Sequence, residues 1–265
     1  MIPALAVLSA AAMGALLLTE RRRRGTAERL AASAMETLLN AIDANDPVTG
    51  AHVRRVAAVA LELAEALGLD EPQRRTVERV ALFHDIGKIH EALFDILHDA
   101  DSLTPGERAA VATHPRRGSE VLEPLEAFYP ELCAGVLAHH ERWDGTGYPQ
   151  GLKGPDIPLA ARIVALADSF DAITHSRRYS SGRSDAAAAE QILAGRGTQF
   201  DPDLVDLFLA PPVLAEVARA RAAALKPRAK GSRRRNRRAR PAPDVIFRWR
   251  TAAPGRQPPA RAAAR

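Results

Sequence analysis

From Val53 to Leu67 the apolar residues Val53, Val56, Ala57, Ala60, Leu63, Ala64 and Leu67 recur at helical spacing, and Gly68 closes the run. The same grammar repeats along the chain. Asp70 stands at a capping position, with Pro72 in the first turn and then Val77, Val80, Ala81 and Phe83 as the apolar stripe. Thr104 and Glu107 form a capping box, predicting a helix that ends near His114-Pro115. Further helices are predicted over 131–140 and 158–174, and after caps at Ser184-Asp185 and Asp201-Pro202, the last fading near Leu225. Alternation of period two is scarce and aromatics make up only 5% of the chain, so the class expected is all-α. A chain of 265 residues is long enough for one sizeable core with residues to spare at both ends.

The spare residues differ in character. Residues 1–19 carry no charged side chain, and Arg21 to Arg24 come directly after them. As a helix that run would reach about 28 Å, near the thickness of a bilayer core. Arginines after an apolar run, rather than before it, fit a retained anchor whose basic end stays in the cytoplasm. The expectation is a membrane anchor with its arginine stop over 1–24, which places the rest of the chain on the cytoplasmic side of a single-pass protein. A linker helix is expected over 25–45, with Leu30, Leu38 and Ile42 on one face beside Ala27 and Ala34, a face suited to pairing with a second copy. Residues 226–265 hold 14 Lys/Arg against the single acid Asp244, so this segment carries +13 and the remainder, 5 − 13, carries −8. The high isoelectric point therefore belongs to the tail, and a basic-surface argument for nucleic acid does not apply to the body. The tail is rich in proline and arginine, reads as disordered, and has the charge to contact anionic lipid or RNA. The lone Cys133 excludes an intrachain disulfide and reads as a small core residue.

Eight histidines are present, and His52, His84, His114, His139 and His140 stand at helix ends or beside breakers. One such histidine is ordinarily a satisfied cap. Five of them, with Asp85 beside His84 and with Asp168 set in an otherwise apolar helix, point elsewhere. A buried carboxylate needs a partner, and a metal is the economical one. Seven nitrogen and oxygen ligands exceed one tetrahedral zinc and suit two ions of higher coordination that share a carboxylate. Two such ions generate a hydroxide nucleophile and stabilise phosphoryl oxygens, which implies phosphoester hydrolysis. Because neighbours on a helix diverge by about 100°, His139 and His140 are not expected to point identically at one ion.

These residues resemble a known family. His84-Asp85 with Gly87-Lys88 is similar to the signature of the HD phosphohydrolases, and Asp144-Gly145-Thr146-Gly147-Tyr148-Pro149 supplies the element that marks the HD-GYP subgroup. The subgroup's pattern also matches at Thr49–Val56, at His114–Gly118, at His139-His140-Glu141, at Ala167–Ala172 and at Gly197–Pro202, in the right order over roughly residues 30–210. The resemblance implies an HD-type helical bundle over 46–225 that hydrolyses cyclic di-GMP to pGpG, GMP or both through a metal-bridged hydroxide. It implies His52, His84, Asp85, His114, His139, His140 and Asp168 as metal ligands, with Asp85 bridging. Lys88 would reach the scissile phosphate or the leaving oxygen, while Tyr148 and Arg177 would contact the substrate. The metals would be two divalent transition ions, iron or manganese foremost, with nickel or zinc also compatible. Val48 occupies the position where some members carry a glutamate for a third metal, and Ser180 stands where the family usually has a second basic residue. Asp171, one turn from Asp168, is expected to orient a neighbour rather than bind metal. Two alternatives stand beside this reading. One is a catalytically silent module that binds nucleotide or protein, and the other is an HD hydrolase of another cyclic nucleotide.

Overall fold

The computed structural model describes residues 2–89, 104–175 and 183–224, with the side chains of 2–12 and 15 outside the described set. Arg177, Ser180 and the basic tail also lie outside it. Ten α-helices are found among the described residues: α1 (Ile2–Asn45), α2 (Pro47–Ala66), α3 (Glu71–Phe83), α4 (Pro105–Val111), α5 (His114–Leu122), α6 (Leu132–Ala138), α7 (Leu159–Thr174), α8 (Asp185–Ala194), α9 (Pro202–Phe208) and α10 (Pro211–Ala224). A 3₁₀ turn, Ile86–Ile89, comes after α3. No strand occurs among these residues, only an isolated bridge between Arg196 and Phe200.

Helix α2 is the central element, packed against α1, α3, α7 and α10. Its buried set runs Val53, Val56, Ala57, Ala58, Val59, Ala60, Leu63 and Ala64, wider than one stripe, as a helix surrounded by neighbours requires. Each fully buried valine or leucine there contributes about 1.5–3 kcal/mol. Asp46 caps α2 by accepting from the Val48 amide at 2.9 Å and the Thr49 hydroxyl at 2.6 Å, with Pro47 in the first turn. Phe170 of α7 meets Phe208 of α9 edge-on, the ring centroids 5.2 Å apart.

Three expectations need correction. The membrane-spanning helix expected over 1–19 finds no support: among the described residues no helix is long and apolar enough to cross a membrane. One helix instead runs unbroken from Ile2 to Asn45, because after Pro3 in its first turn no proline or cap interrupts it before Asp46. Its buried face is also different. Ala31, Met35, Leu39 and Ile42 are buried, spaced four, four and three residues apart, whereas Leu30 is 67% exposed and Ala34 is exposed. Finally, His114-Pro115 begins a helix rather than ending one. Helix α4 stops at Val111, and Pro115 sits in the first turn of α5, where its missing amide costs nothing.

Candidate metal centre

Helix ends build the centre. His84 is the residue just past α3, and its Nδ1 lies 2.8 Å from the Ala81 carbonyl. His114 opens α5, and its Nδ1 lies 2.8 Å from the carbonyl of Val111, the last residue of α4. His139 comes directly after α6, with Nδ1 2.6 Å from the Val136 carbonyl. Carbonyls in the last turn of a helix have no partner within it, so each serves the histidine three residues on. A carbonyl only accepts, so Nδ1 carries the proton in all three rings and Nε2 keeps its lone pair. The Nε2 atoms converge, those of His114 and His139 being 3.2 Å apart.

His52 lies in the second turn of α2 and uses a side chain instead. Its Nδ1 sits 2.8 Å from Asp171 Oδ2. Arg55, one turn along the same helix, donates Nε to Asp171 Oδ1 at 2.7 Å and Nη2 to Oδ2 at 2.9 Å. Asp171 and Arg55 are 1% and 3% exposed, so this is a buried ion pair in which Asp171 Oδ2, shared with Arg55 Nη2, also orients an imidazole. The orienting role expected for Asp171 thus has its geometry.

The rings and carboxylates form two groups. Ligand atoms of His52, His84 and Asp168 lie within 4.8 Å of one another, as do those of His114, His139 and His140, and either trio has a donor set that could hold a metal ion. Asp85 stands between them. Its Oδ1 is 3.3 Å from His114 Nε2, while Oδ2 is 3.6 Å from His84 Nε2 and 3.9 Å from His52 Nε2. Lys88 approaches Asp85 at 2.7 Å and 2.8 Å from its two oxygens. The turn that presents Asp85 and Lys88 lies hard against α5: a Cβ on Gly87 would fall 2.1 Å from the His114 carbonyl oxygen and 2.7 Å from the Gly118 nitrogen.

The adjacent His139 and His140 join the same trio, contrary to the divergence expected of neighbours on a helix. Helix α6 ends at Ala138, so the 100° step does not govern His140. The two ring centroids are 4.1 Å apart. Tyr148 stacks on His140 at 4.9 Å and 23°, which places the Gly147–Pro149 loop beside the centre. That loop is backed by the Gly197–Asp201 segment, through Trp143 N–H to Gln199 O at 3.2 Å and Asp144 N–H to Thr198 O at 2.8 Å. Val48 is 73% exposed and its side chain carries no ligand atom.

The electrostatics fit cations. Burial, then the neighbouring His140, His84 and His114, holds the His139 imidazole well below its usual range. Burial and His114 push His140 down to about 3, and burial lowers His84. Burial also works against a charged His52, but its bonds to Asp168 and Asp171 outweigh that and raise it to about 9. Burial opposes the charge on Asp85, yet the Lys88 ammonium beside it holds its carboxyl well below the usual range. Asp168, likewise opposed by burial, is held low by His52. The buried Nε2 of His84 has no hydrogen-bond partner. A buried lone pair so placed is costly unless something electron-poor meets it, and a divalent ion does so.

The all-helical bundle thus gathers five histidines and Asp168 around Asp85 in two groups that could each hold a metal ion. The chain belongs to the HD domain family, whose model matches residues 36–204, and it carries the GYP element at Gly147–Pro149. Among curated relatives, the cyclic di-GMP phosphodiesterase response regulator RpfG of Xanthomonas campestris is 42% identical over 72% of this chain and 48% of its own length. The 3'3'-cGAMP-specific phosphodiesterase 2 of Vibrio cholerae is 39% identical over 65% of this chain and 33% of its own. The chain therefore spans a third to a half of these relatives. The solved structure of a cyclic GMP-AMP specific phosphodiesterase from V. cholerae shares the fold, with a TM-score of 0.52 and 22% identity over 74% of this chain and 52% of that one.

Arg55 and Glu141 are the two contributors that sequence reasoning missed as such. Arg55 had a signal, since it lies three residues after His52 on one helix face. The partners of Glu141, the amides of Gln150, Gly151 and Leu152, lie nine to eleven residues away, and no local pattern announces them.

Proposed function

We propose that this protein is a metal-dependent phosphodiesterase that hydrolyses cyclic di-GMP to pGpG, GMP or both. The observation that carries the reading is the pair of ligand trios flanking Asp85, with Tyr148 stacked at their edge. His52, His84 and Asp168 would hold one divalent ion, and His114, His139 and His140 a second, with Asp85 shared. Iron or manganese suits this nitrogen-rich and carboxylate set, with nickel or zinc as further candidates. When bound, such ions supply an activated water and Lewis acidity toward a phosphoryl oxygen.

The chain's own residues do the rest. Asp171 and the three helix-end carbonyls keep four Nε2 atoms aimed at the centre, so little reorganisation of the rings is needed when charge develops. Lys88, an ammonium with three donors, holds Asp85 anionic, and the family resemblance assigns it to a phosphate oxygen or the leaving 3′ oxygen. The Tyr148 phenol is pushed up to about 12 by burial and by Asp85 and Asp168, so it remains a hydroxyl donor at neutral pH. In the first step an oxygen from water bonds to phosphorus, the P–O3′ bond breaks, and the 3′ oxygen takes up a proton, opening the ring to pGpG. A second such cleavage gives GMP. Arg177, outside the described residues, is assigned to substrate phosphate on the family resemblance alone.

The relatives named for 3'3'-cGAMP favour a second reading, in which that dinucleotide is preferred. Turnover of the metal-loaded chain on cyclic di-GMP, cyclic di-AMP and 3'3'-cGAMP decides between them. Faster hydrolysis of cyclic di-GMP supports the first reading, while metal binding without turnover on any of the three identifies a silent binding module. Location at the cytoplasmic membrane, pairing of two copies through residues 26–45, and contact of the basic tail with anionic lipid or RNA rest on sequence pattern alone. Membrane fractionation of the full chain and of a chain lacking residues 1–24 tests the first.

A further inference from the structure

Glu141 stands directly after His140 and is 4% exposed. Its Oε1 accepts the amides of Gln150 at 2.6 Å and Gly151 at 3.1 Å, and its Oε2 accepts the amide of Leu152 at 3.1 Å. Three consecutive main-chain N–H groups thus close on one carboxylate, the arrangement by which backbone binds an anion. With both oxygens engaged in this way, Glu141 is not available to ligate a metal. The loop between carboxylate and amides carries Tyr148. It folds back on Glu141 itself, since a Cβ on Gly147 would fall 2.6 Å from Glu141 Cα and 2.3 Å from the Arg142 nitrogen. On its other side the Tyr148 amide donates to the His140 carbonyl at 3.3 Å.

We infer that Glu141 is the positioning residue of the substrate loop: its carboxylate fixes Gln150–Leu152 and thereby sets where Tyr148 meets a cyclic dinucleotide above the centre. The inference rests on the phosphodiesterase reading. Tyr148 is held before substrate arrives, so the ordering of the loop is not charged against binding. Glutamine at position 141 is nearly isosteric, but its NH₂ cannot accept an N–H, so at least one amide of the three loses its acceptor.

The test uses the metal-loaded full chain and compares wild type, Glu141→Gln, Tyr148→Phe and the double variant for metal per chain, KM and kcat on cyclic di-GMP. Glu141→Gln is expected to keep its metal, to raise KM about 10- to 100-fold, and to change kcat less than about threefold, the signature of lost substrate binding rather than lost transition-state contacts. Adding Tyr148→Phe should then raise KM little further, because the tyrosine is already displaced. Should Glu141→Gln fail to fold, Glu141→Asp keeps the charge but shortens the reach, and the same rise in KM is expected. Unchanged KM, additive effects of the two substitutions, or loss of metal from the folded variant overturns the inference alone. A wild type that turns over no cyclic dinucleotide overturns it together with the functional reading.

Discussion

Replacing Asp171 by asparagine alters one atom in the buried core but unsettles three hydrogen bonds at once. The carboxylate receives Arg55 through Nε at 2.7 Å and Nη2 at 2.9 Å, and His52 through Nδ1 at 2.8 Å. A carboxamide has one acceptor oxygen. If that oxygen faces His52, the NH₂ meets the guanidinium donor to donor. If it faces Arg55, the NH₂ meets Nδ1, and His52 adopts the other tautomer with its proton on Nε2, where no ion can bind. Either way Arg55, 3% exposed, loses its counter-charge. Removing one partner of a buried pair costs about 3–5 kcal/mol. Losing the orienting partner of a metal-binding histidine costs about 10- to 100-fold in affinity, or ~1.4–2.7 kcal/mol. The two effects read out separately. Denaturant unfolding of metal-free protein reports the first, and calorimetric metal titration reports the second. The titration should show one site weakened, that of His52, His84 and Asp168, with the His114, His139 and His140 site retained. A folded variant that binds two ions with wild-type affinities would refute the orienting role of Asp171.

Four further outcomes are expected. Burial and the carboxylates leave His84, His139 and His140 low and His52 at about 9. Its folded value is raised above 6.5, so in metal-free protein the stability from His52 is complete below about pH 6.5 and is lost as pH rises through about 9. Metal uptake at pH 7.5 should therefore release the His52 proton, and that release should vanish by about pH 10, as a pH indicator in weak buffer would report; a release that does not change with pH contradicts this. Glu78 is raised to about 7, chiefly by burial, so its contribution falls as pH climbs from about 4.5 through 7, and Glu78→Gln should be relatively more stable than wild type at about pH 8 than at about pH 5 in parallel thermal melts. Gly87→Ala drives a methyl into the His114 carbonyl and should reduce bound metal as well as melting temperature; unchanged metal content would show that the turn gives way harmlessly. Removing residues 1–24 leaves the buried residues Ala31, Met35, Leu39 and Ile42 in place, so the shortened chain should keep its metal content and melt within a few degrees of the full chain.

The clustering of His84, Asp85, His114, His139 and His140 was legible because histidine and aspartate recur where helices start or stop, and those signals are local. The central stripe of α2 was legible for the same reason, being regular over four turns. The face of α1 was not. In a 44-residue helix of alanine, leucine and arginine several stripes compete, and only packing against the rest of the fold selects Met35 and Leu39 over Leu30. The convergence of His139 and His140 turned on whether α6 ends one residue earlier or later, a distinction finer than sequence signals resolve. Arg55 and Glu141 gain their meaning from partners 116 and about ten residues away, and only the fold brings those together.

The three histidines held by carbonyls three residues before them carry their own aim. For His84, His114 and His139 the partner of Nδ1 lies within the adjoining helix end; each is a cartridge of terminal turn plus ring whose tautomer is set locally. The connecting segments therefore need not supply the Nδ1 partner of any of these three rings. Such a centre can tolerate wide drift in loop length and composition while its donor geometry stands still. His52 is the exception, because its aim is borrowed from α7, and the joint between α2 and α7 is where drift would first be felt.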